Sequence, residues 1–187
     1  MTIPMETSFL EQHASDMAKS PGDESPIRGL PSTAAVAGHP IHPMIIPYPI
    51  AFLTSALATD IAARRTGDAF WSRASKILIG AGILSGLAAG AVGAIDYYTI
   101  RRAREKTVGK LHAYGNPLAL GLAAINLAVR RNKDGEAPAG GTVALTGATA
   151  ALLGVTGWAG AELSYRHMVG VAGHGDQHDH MEKQVVQ

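Results

Sequence analysis

Four apolar runs, each close to the length of a membrane crossing, constrain this chain more than any other feature. They cover residues 44–63, 77–95, 111–129 and 142–161, and short charged clusters separate them. About 20 apolar residues suffice to cross a hydrocarbon core roughly 30 Å thick. Asp60 interrupts the first run near its end, and the second has no charge. The third holds His112, Asn116 and Asn126, and the fourth lies in the charge-free stretch 137–161. Backbone amides in lipid must be satisfied within the segment, so the runs are expected to be helices. A soluble bundle of Ala-rich helices is the alternative, and it would need a polar face at the 3.6-residue period. The second run has no such face, and the fourth offers only small Thr residues and Trp158. Mean hydropathy is modest, +0.10, because the tails are polar and Ala and Gly replace Leu.

The expected fold is therefore all-α: an integral membrane four-helix bundle of antiparallel transmembrane helices. Short connections make consecutive helices neighbours, and an even number of crossings returns both termini to one side. That side holds the N-terminal tail, the loop 96–110 and the C-terminal tail, and is called the tail end below. Residues 1–38 read as a tail with a Pro/Gly/Ser/Ala-rich linker, in which Phe9, Leu10, His13 and Met17 share one face of a short surface helix. Residues 39–171 form the membrane domain. Residues 172–187 form a disordered tail whose His174, His178 and His180 read as solvated. The start lacks the basic and apolar regions of a signal peptide. Leaving out Lys19 and Lys183 in the distal tails, lysine and arginine number seven on each side of the expected membrane, so the positive-inside bias does not orient the chain. The acidic N-terminal tail favours cytoplasmic termini.

Net charge is +1, which argues against nucleic acid as a partner. Cysteine is absent, which removes disulfides, thiolate metal sites and cysteine nucleophiles from this chain. Gly82, Gly86 and Gly90 stand four apart on one helix face, a spacing that lets helices approach closely. A tight crossing within the chain is expected there rather than a homodimer seam. Asp60 is expected to pair with Arg64 or to cap a neighbouring helix.

Alternating directions bring polar residues to the tail end. His39 and His42 precede the first helix, Asp96 closes the second, His112 and Asn116 open the third, and Glu162, Arg166 and His167 follow the fourth. Ionisable groups at such depth are costly and are usually paired or functional. Neutral imidazole is the commonest nitrogen ligand for metals and haem iron. The candidate cofactor-binding residues are His39, His42, His112 and His167, supported by Asp96, Asn116, Glu162 and Arg166. Haem b or a metal ion of undetermined identity is the expected ligand. His39 and His42 each precede a proline, which holds them extended or in a turn. The structural alternative is a polar network, with Asp96 and Glu162 pairing with Arg101, Arg102 or Arg166.

The motif Gly-His-Pro-Ile-His-Pro-Met at 38–44 resembles the opening signature of a family of bacterial predicted membrane proteins, domain of unknown function 2231 (DUF2231). Gly-Ala-Ile-Asp-Tyr at 93–97 resembles the family's end to the second helix. Arg101 with the basic loop, then His112 and Asn116, resembles its approach to the third, and residues 157–171 resemble its closing signature. The family has no established activity. Some members look fused to a Rieske iron–sulfur domain, so the resemblance implies a separate Rieske-type or other redox protein as a partner. It also implies a bacterial inner-membrane, multi-pass location. At the position of His167 other members can carry Gln, and at that of Glu162, His.

Two functions follow. One is a haem- or metal-binding redox subunit with a His-rich site at one membrane face. The other is a non-redox membrane module, a small transporter or scaffold. An enzyme using Asp96, Glu162 and His112 ranks last, because no nucleophile motif accompanies them.

Overall fold

The computed structural model describes residues 29–171. The surface helix expected within residues 1–28 and the His-rich tail 172–187 lie outside the described residues. A two-residue hairpin comes first: β1 (Ala35–Val36) pairs antiparallel with β2 (His39–Pro40). Six helices follow: α1 (Ile41–Ile45), α2 (Pro47–Thr66), α3 (Ala69–Thr99), α4 (Arg101–Glu105), α5 (Thr107–Arg130) and α6 (Gly140–Tyr165).

Local chemistry explains the boundaries. Proline stands at the start of α2, where a missing amide costs least. Gly67 ends that helix at φ 70°, a left-handed position that glycine adopts without strain. Asp68 then caps α3, accepting from Phe70 N at 2.8 Å. The turn between the two helices is thus short, and they lie side by side. Pro117 sits inside α5 and removes one of its backbone donors.

The four long helices pack as two hairpins, α2 with α3 and α5 with α6, with α3 against α5 and α2 against α6. The central core takes Leu53 and Ala56 from α2, Ile79 from α3, Ala119 and Ala123 from α5 and Leu153 from α6. A second cluster at the tail end joins Ile100, Ala103, Leu163 and Val169. There Leu30 bridges to Val169, so the strap before the first hairpin lies against the end of the bundle. The glycine face of α3 makes close crossings within the chain. A Cβ on Gly82 would lie 2.5 Å from Leu53, and one on Gly86 would lie 2.6 Å from Leu120.

The polarity of the molecule is inverted relative to a water-soluble bundle. Asp60, Ser75, Asn126, Arg130 and Thr146 are buried, while Ile77, Leu84, Leu118 and Ile125 are exposed. Three helical segments are long and apolar enough to cross a membrane: Ile41–Thr66, Ala69–Thr99 and Gly140–Tyr165. The expectation of four apolar crossings is corrected to three by this measure. The helix that falls short is α5, which carries Lys110, His112, Asn116, Asn126 and Arg130 in its 24 residues.

Candidate functional site: paired imidazoles at the tail end

His42 reaches the bundle from α1, held by Pro40 and Pro43 on either side. His112 stands in the second turn of α5. Their ring centres are 5.9 Å apart, with the planes at 81°. His42 Nδ1 meets the backbone oxygen of Ala89 in α3 at 2.9 Å. His112 Nδ1 meets that of Thr156 in α6 at 2.8 Å. A carbonyl oxygen only accepts, so Nδ1 of each ring is the donor. In the neutral ring Nε2 then carries the free lone pair.

Glycine makes room for both rings. A Cβ on Gly93 would lie 2.8 Å from Nδ1 of His42, and one on Gly160 would lie 2.9 Å from Nδ1 of His112. Each glycine stands four residues beyond the accepting carbonyl, on the same helix face. The rings border a cavity of about 80 Å³ that draws on all four long helices, among its lining Gly86, Asn116, Leu153 and Thr156. Asn116 is engaged at both ends of its amide. Nδ2 donates to His112 O at 2.8 Å, and Oδ1 accepts from Thr156 Oγ1 at 2.9 Å.

The other expected site residues do not line this cavity. His39 is exposed on β2. Asp96 holds the strap: its carboxylate accepts from Ser32 Oγ at 2.6 Å, Thr33 N at 2.8 Å and Ala34 N at 3.2 Å. Glu162 accepts from Arg166 Nη1 at 2.8 Å. That hydrogen bond raises the Arg166 pKa above its usual value, so the guanidinium stays charged. His167 offers its backbone oxygen to Arg102 at 3.0 Å. Asp96 and Glu162 thus serve local contacts at the surface of the tail end, while His42, His112 and Asn116 come together.

A second polar cluster closes the opposite end. Asp60 does not pair with Arg64, whose Nη1 donates to Pro138 O at 2.9 Å. Its carboxylate instead receives Arg130 through two bonds of 2.6 Å, with Ser75 Oγ at 2.5 Å and Thr146 Oγ1 at 2.7 Å. Each long helix gives one member, and Asp60 and Arg130 are 0% and 3% exposed. Burying a carboxylate is costly without such compensation. Sequence reasoning missed Arg130. The available signal was its position at the end of a helix whose inward face already carried Asn126.

Small and polar residues inside, large apolar residues outside and helices of spanning length define an α-helical membrane protein that crosses more than once. Residues 38–173 match the family described as predicted membrane protein, DUF2231, and the chain belongs to that family. No curated protein matches the chain. No solved structure matches it.

Proposed function

We propose that the chain is a four-span membrane protein whose cavity between His42 and His112 binds a small ligand or a single ion. The observation that carries this reading is the pair of anchored imidazoles. Both leave Nε2 without a hydrogen-bond partner among the described residues, beside a mostly apolar cavity. Two ring nitrogens left free beside one cavity give an occupant two donors to bind. The fourth crossing is α5. Its polar side chains His112, Asn116, Asn126 and Arg130 make contacts inside the bundle, while Leu118, Ile125 and Val129 are exposed.

Among the described residues no group of three or more His, Cys, Asp or Glu converges to hold a metal ion. A cavity of about 80 Å³ is also well below the roughly 300–1,000 Å³ of sites that enclose larger ligands. The residues present therefore do not fit a haem macrocycle, and no step is routed through one. A redox role with a separate Rieske-type partner follows only for a redox-active ion at the paired imidazoles. The bacterial inner membrane and cytoplasmic termini complete this reading.

A structural polar network is the second reading, favoured by the chain of bonds from Thr156 through Asn116 to the His112 backbone. Detergent-purified protein separates the two. Under the ligand reading, an absorption spectrum and metal analysis find a bound species that His112→Ala removes and His178→Ala retains. A wild type that binds nothing, with His112→Ala lowering only thermal stability, leaves the structural network.

A further inference from the structure

We propose that His42 and His112 form a two-coordinate site for one monovalent d10 metal ion, copper(I), copper being among the metals that imidazole suits. This rests on the ligand-site reading above and names its ligand class. Donor count is the first argument. Asn116 uses both ends of its amide within the protein, and Thr156 gives its hydroxyl proton to Asn116. Two imidazole Nε2 atoms remain. Zinc in protein sites takes about four ligands in a tetrahedron, and no third His or carboxylate lines the cavity. Copper(I) accepts two nitrogen donors in a near-linear arrangement.

Charge gives the second argument. No Asp, Glu, Lys or Arg lines the cavity. The cost of moving an ion into an apolar medium rises with the square of its charge. A divalent ion would meet that larger cost with no anion to offset it. Spacing gives the third. Metal–imidazole bonds of about 2.0 Å put two rings on opposite sides of an ion with their centres roughly 6 Å apart. The observed separation is 5.9 Å.

Symmetry gives the fourth. His42 and His112, Pro47 and Pro117, and Asp60 and Arg130 are pairs separated by the same 70 positions. Ala89 and Thr156, and Gly93 and Gly160, are separated by the same 67. The two helical hairpins thus carry matching residues at matching positions, and each supplies one ring at one end and one member of the Asp60–Arg130 pair at the other. A site between the two rings receives one imidazole from each half of the chain, as a linear ion requires.

Anaerobic titration of the detergent-purified full chain with copper(I), against a chromogenic copper(I) chelator, tests this. The background carries alanine at His174, His178 and His180. The expected result is one copper(I) per chain. His42→Ala or His112→Ala weakens it by more than about 100-fold, the upper range for losing even a supporting contact at a metal site. His39→Ala and His167→Ala retain it. His112→Gln keeps an amide donor for Thr156 O, so its folded yield separates loss of the ion from loss of the fold. A wild type that cannot compete with the chelator, or histidine variants that compete as well as it does, overturns the proposal. Tighter binding of zinc than of copper(I) at the same pair overturns the ion class and leaves the ligand site standing. If neither ion binds and His112→Ala alters thermal stability alone, the ligand-site reading falls as well.

Discussion

Asp60 shows how burial changes the meaning of a single residue. In the sequence it is one acid near the end of an apolar run. In the fold it is fully buried and holds Arg130, Ser75 and Thr146, so one carboxylate ties all four long helices. Removing one member of a buried pair leaves the other charge uncompensated, which costs about 3–5 kcal/mol. Asp60→Ala is expected to lose that much stability in a reversible unfolding assay in mixed micelles. Asp60→Leu with Arg130→Met removes both charges and should recover most of the loss. A double variant no better than the single one would show that the pair is not what Asp60 contributes. At the tail end, Gly93→Ala tests a different residue-scale claim. Its methyl would collide with the His42 ring, whereas Gly90 has open space around its Cβ direction. Gly93→Ala should therefore lower thermal stability or ligand retention more than Gly90→Ala, and equal behaviour would argue that the ring is not held there.

At the scale of the element, α3 and α5 illustrate two ways a helix can suit a membrane. Ala69–Thr99 has a mean hydropathy of 2.0 over its most apolar window and uses glycine to approach its neighbours. Gly86→Leu places a large side chain where a Cβ would already lie 2.6 Å from Leu120. Overpacking of this kind costs about 1–3 kcal/mol or more, so folded yield in detergent should fall. Ala88→Leu, on the exposed face of the same helix, should be tolerated. Equal yields would mean that the Gly86 face does not pack as described. Helix α5 instead turns His112, Asn116, Asn126 and Arg130 inward, and its average hydropathy hides an apolar outer face.

For the whole molecule, the decisive question is whether α5 crosses the bilayer. Reporter fusions at Asp68 and Asp134 should fall on one side, and fusions at Arg104 and His178 on the other. If α5 does not cross, Arg104 and Asp134 report the same side, and the four-span arrangement is lost. The physical basis is length, since 24 residues at about 1.5 Å each exceed a core of roughly 30 Å.

The sequence by itself determined the four long helices and their order, because runs of spanning length leave the backbone no other way to satisfy its own hydrogen bonds. The resemblance at residues 38–44, 93–97 and 157–171 was likewise legible, since it rests on local motifs. The expectation that His42, His112 and Asn116 meet at one end followed from alternating helix direction alone. Direction places a residue at an end of the bundle but not on a face of its helix. Only the tertiary structure decided that Asp96 turns to the Ser32–Thr33 strap and that Asp60 chooses Arg130 over Arg64. Those choices depend on helix rotation and on partners 60 to 70 positions away, and local pattern carries neither.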